Sequence, residues 1–169
     1  MRYVILGAGA AGITAAKTLR LADSNGKITV LSTDTQVHSR CMLHKYLSHE
    51  RDAEGISFID KDFFEKNQIE WMPGRTVVKL DTEAMVVVTQ QNEEIPYDRL
   101  LIATGAESFI PPVGNLREAE NVFGLRHLRD AQAIDKLAQQ AEKIVIIGSG
   151  LVGLDAAYGL METGKKVSI

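Results

Sequence analysis

The sequence predicts an α/β fold: a parallel sheet with helices, interrupted by an antiparallel β-meander, followed by the start of a second parallel unit of the same kind. Three observations predict it. The first is Val4-Ile5-Leu6-Gly7-Ala8-Gly9-Ala10-Ala11-Gly12, an apolar run that breaks into Gly-x-Gly-x-x-Gly and then becomes a helical pattern. The second is its repetition at Val145-Ile146-Ile147-Gly148-Ser149-Gly150-Leu151-Val152-Gly153, in a register that carries Ala15, Ala16 and Leu19 onto Ala156, Ala157 and Leu160. The third is a matching strand after each helix, Lys27-Ile28-Thr29-Val30 and Lys166-Val167-Ser168-Ile169. One strand–turn–helix–strand unit therefore occurs twice.

Such a corner suits a dinucleotide. The first glycine lets the backbone turn tightly out of a strand, the second lets a pyrophosphate approach main-chain N–H groups, and the third lets the helix pack on the strand. The helix N-terminus adds free amides and a partial positive charge. Gly7, Gly9, Ala10, Ala11 and Gly12 form the first cradle; Gly148, Gly150, Leu151, Val152 and Gly153 form the second.

Between the corners the elements follow in order. Tyr3 to Leu6 reads as a buried parallel strand, short and unalternating. The helix after Gly9 places Ala11, Ala15, Leu19 and Ala22 on one stripe. Asp23-Ser24-Asn25-Gly26 is a turn, and Lys27 to Leu31 the second strand. An acid at the end of this strand would hold ribose hydroxyls. Ser32 occupies that place, so Asp34, the nearest acid, takes the role, with a solvated loop aspartate as the plain alternative. Gln36 to Leu47 is too polar and basic for core and ends in a short helix from Ser39 to about His49. Phe58 to Phe64 reads as a strand end and a short helix, with Asp60 as N-cap. Ile69-Glu70-Trp71 is a strand closed by Pro73-Gly74. Thr76–Leu80 and Met85–Thr89 form a hairpin over Asp81-Thr82-Glu83. Tyr97 to Ala103 returns to a buried parallel strand ending in Thr104-Gly105. Pro111-Pro112 and Gly114 mark a linker, and Arg129 to Ala141 is a helix with Ala133, Leu137 and Ala141, or Ile134, Leu137 and Ala138, on its inner face. The linker sets two domains, 1–110 and 111–169.

The chain has 169 residues, 45% hydrophobic and 24% charged, the balance of a globular domain. A net charge of -3 gives no reason to expect nucleic acid or an anionic membrane. One cysteine rules out an internal disulfide framework and fits a cytoplasmic location. No apolar run approaches a membrane span, and Arg2 with its short apolar stretch is a first strand rather than a leader. No metal site is expected.

The order of glycine corner, basic loop, meander, Leu100-Leu101-Ile102-Ala103-Thr104-Gly105, proline linker and second corner resembles the FAD-dependent pyridine nucleotide–disulfide oxidoreductases, flavoproteins with two dinucleotide-binding domains. The resemblance spans the whole chain. It implies a Rossmann-like FAD-binding domain over 1–110 and the beginning of a Rossmann-like NAD(P)H-binding domain over 111–169. The first corner would then hold the FAD pyrophosphate, with Ala103, Thr104 and Gly105 passing close to FAD. Val77 would offer main-chain bonds to adenine. Asp155 stands where the family has a glutamate contacting nicotinamide, one methylene shorter.

Within that family, Ser39-Arg40-Cys41-Met42-Leu43-His44-Lys45 looks like the Arg-Pro-x-Leu-Ser-Lys segment of reductases that serve ferredoxins, rubredoxin or nitrite reduction. On that likeness Lys45 sits near the flavin N5, where a cation stabilises reduced flavin, and Arg40 faces the FAD phosphates or ribityl chain. Solvated surface charge is the plain alternative for both. Cys41 replaces the pattern's proline. It also lies on the pattern of the single-cysteine branch, the NADH peroxidases, NADH oxidases and coenzyme A–disulfide reductases; beside Arg40 and His44 such a thiol would be reactive. Its bland reading is a small residue in a proline's place.

The implied activity is an FAD-dependent NAD(P)H oxidoreductase: hydride from NAD(P)H to flavin, then electrons to a small redox protein such as rubredoxin or ferredoxin, a nitrite-reductase partner, dioxygen, or a peroxide or disulfide through Cys41. A non-catalytic flavin- or nucleotide-binding sensor is the competing class, and Lys45 would have little use in it. The resemblance also implies that residues 1–169 alone bind FAD poorly and turn over little, and it leaves room for a homo-oligomer of the full-length protein.

Overall fold

In the computed structural model, which describes residues 1–169, the chain runs β1 (Arg2–Leu6), α1 (Ala10–Ala22), β2 (Lys27–Ser32), a 3-10 turn (Arg40–Met42), α2 (Leu43–Leu47), α3 (Phe63–Lys66), β3 (Ile69–Pro73), β4 (Val77–Asp81), β5 (Val86–Thr89), β6 (Glu94–Pro96), β7 (Arg99–Ile102), α4 (Leu128–Ala138), β8 (Lys143–Val145), α5 (Leu151–Glu162) and β9 (Lys166–Ser168). It divides into two compact units, Met1–Val37 with Phe58–Gly105, and His38–Ser57 with Ala106–Ile169. No helix is long and apolar enough to cross a membrane.

In the first unit the strand order is β3-β2-β1-β7, with every pair parallel. Side chains alternate across a strand, and both faces of β1 are covered. Ile5 joins Ile28 and Val30 beneath Ile13 and Ala16 of α1. Val4 and Leu6 point the other way, into a cluster with Leu31, Val87 and Tyr97. A second sheet, β4-β5-β6, antiparallel throughout, supplies Val87. Burial on both faces explains why β1 reads as an unbroken apolar run. The turn before β2 is held by Asp23, whose Oδ1 accepts from the N–H groups of Asn25 (3.1 Å) and Gly26 (2.8 Å).

The second unit pairs β8 with β9 in parallel. Its core joins Leu43, Leu47 and Ile56 to Leu128, Ala131 and Ala138 and to Ala156 and Leu160. Asp130 caps α4, its Oδ2 accepting from the N–H groups of His127 (2.8 Å) and Arg126 (3.0 Å).

Five expectations need correction. The inner face of α1 is Gly12, Ile13 and Ala16, with Ala15 and Leu19 of the expected stripe packed at its margin and Ala11 and Ala22 exposed, because the helix approaches the corner closely at Gly12 and turns that side inward. The basic segment is not excluded from core: Leu43 and Leu47, four residues apart, are buried at 2% and 0%, and His38 is buried with Arg40, His44 and Lys45 half-buried. Phe58 begins no strand; α3 starts at Phe63 with Asp62 as N-cap, and Asp60 contributes only its carbonyl, to the Phe63 N–H (3.1 Å). β7 is parallel as expected but is an edge strand, so Leu101 and Ile102 are exposed. Helix α4 closes at Ala138, and Leu137 is exposed; Leu128, Ala131 and Ala138 are its buried residues. Strand β6 has no strong sequence signal, since it is three residues long and ends on Pro96.

Candidate functional site

The two glycine corners share one backbone. Gly7 and Gly148 both take positive φ, 106° and 115°, where side chains are strained. Gly9 and Gly150 are both extended N-caps, with φ of -77° and -72°. The N-cap carbonyls accept the first helical bonds, from Ile13 (3.0 Å) and Leu154 (3.0 Å). The earlier N–H groups of each first turn have no acceptor within their helix. No acid stands in either first turn to compete for them.

The glycines differ in what surrounds them. A Cβ on Gly12 would lie 1.9 Å from the Gly7 carbonyl oxygen, and one on Gly153 would lie 2.2 Å from that of Gly148. These third glycines therefore set the close approach of helix to corner. A Cβ on Gly9 or Gly150 would meet nothing within 4 Å. Each middle glycine thus leaves an open space beside amide donors at a helix N-terminus, room that a phosphate group fits and a side chain would fill. That is the fit expected of a dinucleotide at both corners.

The first corner is closed on both sides. The Gly7 N–H donates to the Leu31 carbonyl at the end of β2 (2.7 Å), and a Cβ on Gly7 would lie 2.3 Å from the Ala103 carbonyl oxygen after β7. Ala103 is tied in turn through its N–H to the Leu6 carbonyl (2.8 Å). So Ala103 is brought against the corner, and Thr104 and Gly105 follow it, exposed, with Gly105 at a φ of 77°. Ala10 and Ala11 are exposed on the first turn of α1. Asp34 lies just past β2, half-buried; its N–H donates to Ser32 Oγ (3.1 Å) and its carbonyl accepts from Gly74 (3.3 Å). Val77 opens β4, opposite Thr89, where the register shifts.

In the second unit, Leu151 and Val152 are exposed on the first turn of α5, as is Asp155 one turn on. The structure places the basic segment beside this helix. A Cβ on Gly159 would lie 2.5 Å from the His44 carbonyl oxygen and 3.2 Å from Leu47 Cβ, so α2 crosses α5 at a glycine. Lys45 Nζ lies 5.8 Å from the centre of the Tyr158 ring and pairs with Glu50 Oε2 at 2.5 Å. That hydrogen bond holds the Lys45 ammonium above its ordinary range, against the opposing effect of burial. Arg40 is half-buried and Cys41 exposed in the 3-10 turn before α2.

Sequence reasoning passed over Glu50, Tyr158 and Gly159. Gly159 follows the second corner by six residues inside an apolar helix, and an isolated helical glycine is itself a packing signal. Glu50 carries none, because its approach to Lys45 depends on a left-handed turn at His49 (φ 59°), which a non-glycine residue adopts only occasionally.

The family model described as pyridine nucleotide-disulphide oxidoreductase matches residues 1–169. The assimilatory nitrate reductase electron transfer subunit of Bacillus subtilis is 33% identical over 170 residues, covering 99% of this chain and 22% of that protein. The crystal structure of NADH:rubredoxin oxidoreductase from Clostridium acetobutylicum is similar with a TM-score of 0.86 at 28% identity, over 99% of this chain and 43% of that one. A NAD-dependent persulfide reductase from A. fulgidus is similar with a TM-score of 0.85 at 32% identity, over 99% of this chain and 33% of that one. The chain thus spans well under half the length of these proteins.

Proposed function

Because the chain belongs to the pyridine nucleotide-disulphide oxidoreductase family, we propose that its first corner holds FAD and its second NAD(P)H, in an oxidoreductase that takes hydride from the nicotinamide and delivers electrons to a small redox protein. The observation that carries this reading is the pair of open middle glycines, Gly9 and Gly150, at two corners of matching backbone. Bound FAD supplies the hydride acceptance and the onward electron transfer.

The chain's own residues bind and orient. The first-turn amides after Gly9, with the positive end of α1, hold a pyrophosphate; Ala10 and Ala11 are small enough to let it close on the backbone. Asp34 is assigned the ribose hydroxyls and Val77 the adenine edge. The Ala103-Thr104-Gly105 turn covers the cofactor from the β7 side. At the second corner Gly148, Gly150, Leu151, Val152 and Gly153 take the nicotinamide dinucleotide's phosphates, and Asp155 its nicotinamide. Lys45 supplies a positive charge at the flavin and Arg40 a counter-charge to the phosphates. The functional division, 1–110 for FAD and 111–169 for NAD(P)H, follows the corners, whereas by compactness 38–57 groups with 106–169.

Gly9→Val and Gly150→Val in the full-length protein separate the two assignments. Gly9→Val keeps its thermal midpoint and loses flavin; Gly150→Val keeps flavin and loses reduction by NAD(P)H. Retention of flavin by Gly9→Val refutes the first assignment.

A second reading rests on the exposure of Cys41 one turn before Lys45. There the acceptor is a disulfide or peroxide and the thiol relays electrons. Acceptor turnover that survives in Cys41→Ser excludes it.

A further inference from the structure

Helix α2 ends at Leu47, and His49 returns the chain through the left-handed region. The His49 N–H donates to the Tyr46 carbonyl (3.0 Å) and the Arg51 N–H to the Lys45 carbonyl (3.0 Å). The return brings Glu50, five residues on, against the Lys45 ammonium at 2.5 Å. On its other side Lys45 has the Tyr158 ring of α5, 5.8 Å away. Its side chain is 24% exposed, against 53% for Glu50.

We propose that Glu50 is a positioning residue that fixes the Lys45 ammonium as a cation on the α5 side of α2. The proposal rests, for its catalytic consequence, on the reading that Lys45 faces the flavin. Most surface ion pairs contribute little; this one differs because its lysine is three-quarters covered and held from two elements. The charges around it leave Glu50 a distinct part. Arg51, next to Glu50, disfavours the ammonium, and so does burial; Glu50 and the Tyr158 hydroxyl group favour it. His44 lies near enough to help keep Glu50 ionised, though Lys45 does most of that. Asp155 stands three residues before Tyr158 on α5. Without Glu50, burial and Arg51 both push Lys45 toward the neutral amine, and the long lysine side chain regains its rotamers.

The test uses full-length protein labelled with ¹³C at lysine, Lys45 being assigned from Lys45→Arg. Glu50→Gln is expected to lower the Lys45 titration midpoint and Glu50→Asp to restore part of it. Turnover of Glu50→Gln is expected to fall several-fold relative to the wild type as pH rises, while Glu50→Asp follows the wild type more closely. A midpoint that Glu50→Gln leaves unchanged overturns the proposal. So does an enzyme crippled by Lys45→Met whose alkaline turnover ignores Glu50→Gln. If the midpoint moves while neither Glu50→Gln nor Lys45→Met alters turnover, Glu50 holds the cation as proposed and the flavin role of Lys45 is the part that fails.

Discussion

Gly7 and Gly9 stand two residues apart and do opposite things. Gly7 is wedged: its φ is 106°, and a Cβ would run into the Ala103 carbonyl at 2.3 Å. Gly9 has ordinary dihedrals and empty space beside it. Gly7→Ala should therefore destabilise the fold by about 1–3 kcal/mol, from strain and overpacking. Gly9→Ala should change stability by about 0.5 kcal/mol or less, as at an open surface position. Urea unfolding of the two variants side by side checks this; equal losses would contradict it. The Gly-x-Gly-x-x-Gly spacing revealed all three glycines of each corner, since each has a separate geometric reason to lack a side chain. It did not reveal that Gly7 is locked by a residue 96 positions later; that follows from the parallel pairing of β1 with β7, which brings Ala103 to the corner.

At the scale of elements, α2 is five residues long and has little stability of its own. Packing holds it: Leu43 and Leu47 enter a core with α4 and α5, and Gly159 lets the His44 carbonyl approach. Leu47→Ala should cost about 2–5 kcal/mol, and Gly159→Ala about 1–3 kcal/mol by forcing α2 off α5. Differential scanning calorimetry checks both, and a Gly159→Ala protein as stable as wild type would refute the close crossing. Strands β1, β2 and β3, helix α1 and the β4–β5 hairpin were all legible, because long apolar runs and turn clusters report their own burial. The basic segment was not. A leucine every fourth residue among His44, Lys45 and Arg40 looks polar on average, and only its period shows the buried side. The inner face of α4 was legible only in part: Ala138 is buried and Ile134 packs on the core as one of the two readings had it, but alanines suit either side of a helix and Leu137 is left exposed.

At the scale of the molecule, the first unit carries solvent-exposed ion pairs, each a small contributor, whose carboxylates sit below their usual range. Arg2 hydrogen-bonds to Asp98, Lys27 to Glu70 and Arg75 to Glu93, each lowering its partner. A depressed carboxylate binds its proton less readily folded than unfolded, so its contribution is complete above the unfolded value, about 4. It is lost as pH falls through the folded value. Stability should then be level near neutrality and drop on acidification below about pH 4, with a shallower drop in Glu70→Gln. Denaturant midpoints across that range test the sign; stability rising as pH falls would contradict it.

The functional account stands on two cradles of one geometry holding two different dinucleotides, one reducing the other. Anaerobic titration of the full-length protein with NADH tests it most directly. The account predicts that the visible absorbance of bound flavin bleaches with one equivalent of NADH. A protein that carries no flavin, or one whose flavin absorbance both NADH and NADPH leave intact, would contradict it.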